Sequence, residues 1–161
     1  MAGEYTPMHS QNWVDQDVIR MADTNFLGAL RVLGACMPSF VSRDNGHIVI
    51  VGSLAGFTGL QGAIGYGASK AALMHLSENI SSDLYKMNIK VQLFNPGFVK
   101  TRLTEKNSFH MPFKMSAEKA AGIIARGMLT KRRVINFPWF FSLVFRFGKF
   151  LPNKFMIFGK K

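Results

Sequence analysis

Tyr66-Gly67-Ala68-Ser69-Lys70 places a phenol and an ammonium four residues apart. On a helix that spacing stacks both side chains on one face, one turn apart. A free phenol ionises near pH 10 and is a poor base near neutrality, but a neighbouring ammonium favours the phenolate. Such a pair makes a proton donor and acceptor tuned toward working pH. The spacing alone is weak evidence, because many helices contain it by chance. Ser53 adds a second hydroxyl, thirteen residues before Tyr66, within Gly52-Ser53-Leu54-Ala55-Gly56. On its own, Ser53 reads equally as a serine in a glycine-rich turn or as a helix N-cap.

The elements around these residues give them a shared address. Residues 47–51 are an apolar, β-branched run after the turn-like Arg43-Asp44-Asn45-Gly46, and read as a strand that delivers Ser53 at its carboxyl end. Residues 89–94, closed by Asn95-Pro96-Gly97, and residues 134–137, stopped by Pro138, read as two more strands. Helical spacing is expected over 24–41 (Leu27, Leu30, Val32, Leu33, Met37), over 66–87 (Ala68, Ala72, Leu76, Ile80, Leu84), and over 116–129 behind an N-cap at Ser116. Strands alternating with helices predict parallel βαβ units. In such sheets ligands bind beyond the carboxyl ends of the strands, where Ser53 is expected.

Taken together, these motifs resemble the short-chain dehydrogenase/reductase family from the first residues to about Pro138. The shared features, in the family's order, are Ala2-Gly3, Asn25 within Thr24-Asn25-Phe26-Leu27-Gly28, Gly52-Ser53, Tyr66-x-x-x-Lys70, and Asn95-Pro96-Gly97-Phe98-Val99-Lys100-Thr101. The resemblance implies an α/β, partial Rossmann-like fold and an oxidoreductase that interconverts a carbonyl and an alcohol with NAD(H) or NADP(H), NADP being slightly preferred. It assigns proton exchange with the substrate oxygen to Tyr66 and stabilisation of that oxygen to Ser53. Lys70 would lower the Tyr66 pKa and hold the nicotinamide ribose, and Asn25 would support a water relay. Ala2, Gly3, Pro96, Gly97, Val99 and Thr101 would border the cofactor. Asn25 has a competing reading as a residue that hydrogen-bonds nearby backbone. Residues 101–115, with Leu103, Phe109, Met111, Pro112 and Phe113, are either a lid over an apolar substrate or a loop packed on the core.

One part of the family pattern does not occur. The glycine-rich turn that lets a pyrophosphate approach a helix N-terminus has no counterpart here. Gly56-Phe57-Thr58-Gly59-Leu60-Gln61-Gly62 is rich in glycine but precedes the Tyr66 helix, so it is not that turn. The expectation is a catalytic half from a longer protein, with a thin three-stranded sheet, an unpaired edge and little cofactor affinity of its own. A non-catalytic remnant that binds a membrane or a partner is the alternative.

Composition bounds the remainder. The 161 residues carry a net charge of +11, with eight Lys/Arg and no Asp or Glu between Lys131 and Lys161. Cys36, the single cysteine, reads as a buried, inert thiol in an apolar helix. His9, His47, His75 and His110 have no ligand spacing, so no metal is expected. The start of the chain lacks the basic and apolar regions of a signal peptide, and no apolar run reaches the ~18 residues of a spanning helix. The chain divides into a catalytic domain, 1–138, and a basic aromatic tail, 139–161. On a helix, Ser142, Arg146, Lys149 and Asn153 would form a narrow polar stripe opposite a wide aromatic face. That pattern suits peripheral membrane contact, or a helix that covers the substrate pocket or makes a subunit contact. It is too apolar for nucleic acid. The expected setting is cytoplasmic with a lipid-like substrate, and the family resemblance implies a homo-oligomer.

Overall fold

The computed structural model describes residues 3–106, 109–148 and 150. Ala2, Lys149 and Asn153, singled out above, lie outside the described residues. Three parallel strands, β1 (Gly46–Val51), β2 (Ile89–Pro96) and β3 (Val134–Phe137), form one sheet in the order β1-β2-β3. The register pairs Ile48 with Val91 and Ile50 with Leu93. On the far side of β2, Leu93 pairs with Val134 and Pro96 with Phe137. Among the described residues, β1 has no strand on its other side.

Alternation along β1 serves two cores. Ile48 and Ile50 face one side, where Val91, Leu93, Leu73 and Met74 close the packing. Val49 faces the other side, with Phe94, Phe137, Ile123 and Ile124. Helices cover both faces, so the strands bury residues on both, with Gln92 of β2 a buried polar exception. Helix α1 (Asp15–Ala22) passes through a π-helical turn (Asp23–Leu27) into α2 (Gly28–Ser42). Helix α3 (Ile64–Asp83) follows β1, and α4 (Ala117–Met128) lies on the opposite face. Ser116 caps α4 by accepting a hydrogen bond from the Lys119 N–H, at 3.2 Å. Asp44 takes a left-handed backbone, φ +44°, at the turn into β1. Its carboxylate accepts from the Asn88 N–H and side-chain amide at 2.9 and 2.8 Å, joining the two turns that feed β1 and β2.

Several expectations change. The first helical stretch begins nine residues before Thr24, at Asp15, and carries the π turn that spacing alone does not reveal. On α3 the buried face is Gly65, Ser69, Lys70, Leu73, Met74 and Ser77, displaced from the apolar series Ala68, Ala72, Leu76, Ile80. Leu73 and Met74 of that face belong to the core, with Leu76 and Ile80 partly buried against it, while Gly65 lets α1 approach at Met21 and Val18. Cys36 is half-buried, not buried, because α2 lays Leu33 and Met37 on the core and leaves Cys36 toward its flank.

Helix α5 (Trp139–Gly148) departs most from its sequence pattern. Ser142 is buried and donates to the Trp139 carbonyl at 2.5 Å, so of the two described members of the polar stripe only Arg146 is exposed. Phe141 and Phe145 are buried against Leu54, with Phe57, Leu60 and Phe98 around them. Trp139, Phe140, Leu143, Val144 and Phe147 are exposed. No helix among the described residues is long and apolar enough to cross a membrane.

Candidate active site

The site is assembled where β1 ends. Gly52 follows Val51, and a Cβ there would strike the Oδ1 atom of Asn95 on β2, so only glycine lets the two strand ends close. Ser53 then caps a short turn, Leu54–Gly56, by accepting from the Ala55 N–H at 3.2 Å. Its cap role and its chemistry coexist, since the same hydroxyl acts on Tyr66 and lines the same pocket. Gly56 packs the turn onto α3: a Cβ there would lie 3.0 Å from the backbone of Lys70 and Ala71.

Burial holds the Tyr66 hydroxyl above its ordinary range, and the Ser53 hydrogen bond works against that rise. Lys70 is 7% exposed, and burial lowers its pKa to about 8. Its Nζ donates to the Val51 carbonyl at 3.0 Å and stands 5.7 Å from the centre of the Tyr66 ring. The expected drop at Tyr66 is therefore corrected for the chain as it stands. The ammonium lies over the ring, bonded to β1, and desolvation dominates at the phenol.

Asn25 sits in the π turn, an irregularity that recurs at functional sites. Its side chain accepts from the Glu4 N–H at 2.8 Å and donates to the Glu4 carbonyl at 2.9 Å. It also donates to Ser69 Oγ at 3.0 Å, and Ser69 donates to the Tyr66 carbonyl at 2.8 Å. The carboxamide thus ties the first described residues to the helix that bears Tyr66 and Lys70. This is the backbone-bonding arrangement that competed with the water relay.

The cofactor-border residues fall into two groups. Gly97 reaches the central pocket, and Pro96 ends β2 beside Phe137. Val99 bridges Met115, while Thr101 is exposed. Thr104, which the motifs did not flag, organises this loop: its hydroxyl donates to the Val99 carbonyl at 2.8 Å and accepts from the Thr101 N–H at 3.0 Å. Gly3 approaches Leu103 of the same loop. Lys106 latches it by donating to the Tyr5 carbonyl at 2.7 Å, with the Glu4 carboxylate 3.6 Å away.

Ser53 and Tyr66 open into a pocket of about 100 Å³. Leu60, Phe98, Leu103, Phe109 and Phe145 give it apolar walls, and Gln61 and Thr104 add polar groups. Leu103 and Phe109 come from the segment expected as lid or packed loop, and they line the pocket. Tyr5, missed by sequence reasoning, meets Tyr66 edge-on at 5.3 Å between ring centres, and its phenol is raised by burial and then by Tyr66. Phe145 was also missed as a pocket residue. No sequence signal places residues 5 and 145 together. Among the described residues, no group of His, Cys, Asp or Glu gathers as a metal site.

The family model described as short chain dehydrogenase matches residues 2–111. An uncharacterized oxidoreductase of Myxococcus xanthus is 42% identical over 131 residues, covering 81% of this chain and 52% of that protein. Human 17-beta-hydroxysteroid dehydrogenase 13 is 29% identical over 156 residues, covering 95% of this chain and 52% of that protein. The chain thus spans about half the length of these curated relatives. Among solved structures, a short-chain dehydrogenase from Sphingobium yanoikuyae in complex with NADPH superposes with a TM-score of 0.79 at 25% identity, over 86% of this chain and 55% of that one. A Burkholderia cenocepacia short-chain dehydrogenase in complex with NADP superposes at 0.80 and 19% identity, over 92% of this chain and 63% of that one, a likeness of fold.

Proposed function

The chain belongs to the short-chain dehydrogenase family, and from that premise we propose that it supplies the proton-handling and substrate-holding part of an NAD(P)-dependent interconversion of an apolar ketone or aldehyde and its alcohol. The observation that carries this reading is the Ser53 and Tyr66 pair on the wall of one apolar pocket, with the Lys70 ammonium 5.7 Å from the centre of the Tyr66 ring.

The residues present fit the nicotinamide end of a dinucleotide. Lys70 donates to Val51, and an ammonium has three donors, so further N–H groups can meet ribose hydroxyls. Gly97 keeps the pocket edge free of a side chain, and the Val99–Thr101 loop is held by Thr104. When bound, the nicotinamide supplies or takes the hydride. In reduction, Tyr66 donates its proton to the substrate oxygen, and the Ser53 hydroxyl hydrogen-bonds the charge developing there. In oxidation the Tyr66 phenolate takes that proton. Asn25 fixes the helix that aims Tyr66 through its bonds to Glu4 and Ser69.

Because Tyr66 is raised, it rests as the acid at neutral pH. Carbonyl reduction should therefore run at neutral pH, and alcohol oxidation should accelerate as the pH becomes alkaline. Initial rates in both directions test this, and an oxidation rate that falls with rising pH would sink it. The name of the human relative, 17-beta-hydroxysteroid dehydrogenase 13, agrees with an apolar alcohol. A cytoplasmic homo-oligomer completes the reading.

The deciding experiment titrates the chain with NADPH and NADH by nicotinamide fluorescence, then measures turnover of a hydrophobic ketone by the chain and by Tyr66→Phe. The expected result is retained binding with turnover lower by about a thousandfold in the variant. Equal turnover in Tyr66→Phe removes the mechanism. No binding by a folded sample removes the cofactor reading from this chain. That result would favour the alternative, a non-catalytic module that works through the exposed face of α5.

A further inference from the structure

Helix α5 has two apolar faces, and a globular protein accounts for only one. Its inner face holds Phe141 and Phe145 against Leu54 and the pocket. Its outer face holds Trp139 and Phe147, 70% and 62% exposed, with Phe140, Leu143 and Val144 also open. At 100° per residue these five side chains fill a continuous arc of roughly 140° along the helix. Single exposed apolar residues are ordinary, but a continuous aromatic arc is not. The patch extends off the helix, because Phe113, also exposed, packs edge-on against Phe140 at 4.9 Å between ring centres.

Charge selects the occupant. Arg146 lies on the edge of the arc, and the sequence after Glu118 contains no carboxylate. The sequence beyond the helix continues to mix lysine with apolar residues, Phe150-Leu151-Pro152-Asn153-Lys154-Phe155-Met156-Ile157-Phe158-Gly159-Lys160-Lys161. A protein partner for such a face needs a matching apolar patch with acidic edges. An anionic lipid surface offers both along its whole area. Tryptophan and phenylalanine flanked by basic side chains suit the boundary between headgroups and acyl chains.

We infer that α5 lies flat in the interface of an anionic bilayer, with Trp139, Leu143 and Phe147 immersed and Phe145 walling the pocket behind them. A helix is roughly 10 Å across, so lipid and pocket are separated by about that distance. Apolar substrates dissolved in the bilayer are then concentrated beside the pocket. Docking rests on the helix face and stands whether or not the chain turns over a substrate.

The test uses the full chain and vesicles of phosphatidylcholine with and without phosphatidylserine. In a Trp13→Phe background, the Trp139 emission should shift to the blue on adding the anionic vesicles, and the protein should float with them. High salt should weaken binding by screening the basic groups. Leu143→Ser with Phe147→Ser should cut flotation about tenfold or more, with the thermal melt unchanged because both positions are exposed. Folded protein that stays with neither vesicle overturns the proposal. So does flotation that the double variant leaves unchanged. Light scattering without lipid is the remaining control: a self-associated form that the double variant dissolves means a second copy covers this face, and the lipid proposal fails.

Discussion

Lys70 carries a cost that can be measured without any substrate. Its native pKa of about 8 lies below the ordinary 10.5. Between those values the unfolded chain holds the extra proton, so stability rises with pH across that window. Below about pH 8 both states are protonated and the fold bears the full penalty, roughly 3 kcal/mol. Lys70→Met should stabilise the chain at neutral pH by about 1–3 kcal/mol, less whatever the unpaired Val51 carbonyl costs. That gain should vanish at alkaline pH. Urea unfolding at the two pH values checks it, and a variant less stable than the parent at neutral pH contradicts it. Asn25→Ala points the other way. It removes three hydrogen bonds that hold Glu4 and Ser69 and should cost about 2–3 kcal/mol. The types and order of Ser53, Tyr66 and Lys70 were legible because helix spacing and strand ends are local. The direction at Tyr66 was not, because it depends on how deeply the pocket wall encloses the ring. Tyr5 was not either, since only the closed fold brings it to Tyr66.

At the scale of elements, all three strands were readable from short apolar runs bounded by turn residues. The helices were less so. On α3, Leu76 and Ile80 pack against the core as their spacing suggested, but the most deeply buried positions include Gly65, Ser69, Lys70 and Ser77, which carry no hydrophobic signal. The stretch 15–22 was missed since its apolar residues are few, and Met21 alone is buried there. A close approach between elements gives a sharp test. Gly56 lets the Ser53 turn rest on α3, and a methyl group would press on the Met74 sulfur at 2.6 Å and on α3 backbone at 3.0 Å. The sulfur can swing aside, but the backbone cannot. Gly56→Ala should destabilise by about 1–3 kcal/mol, read as a lower Tm, and should weaken any Tyr66-dependent turnover by moving Ser53. An unchanged Tm and rate would mean the turn has room to move.

Across the whole molecule, the pocket draws on residues from 5 to 145, and such long-range convergence has no signature in a one-dimensional pattern. The tail was legible as aromatic and basic. Which of its faces turned inward was not, because Ser142 folds back onto its own helix backbone instead of meeting solvent. A different long-range device sits at the opposite end of the sheet. Gln92 on β2 is fully buried, and its amide reaches the carbonyls of Gly127, Thr130 and Arg132 at 3.2, 3.1 and 2.6 Å. Its Oε1 meets the His47 ring at 2.9 Å. One side chain of β2 therefore fastens the end of α4, the turn after it and the approach to β3, while touching β1 as well. For amide exchange this means that the last third of the described fold has no separate opening. The N–H groups of β3 and of the final turn of α4 should exchange with deuterium only as fast as those of β2. Replacing Gln92 with Leu, which removes those bonds, should split the protected set in two, with the α4–β3 portion exchanging first.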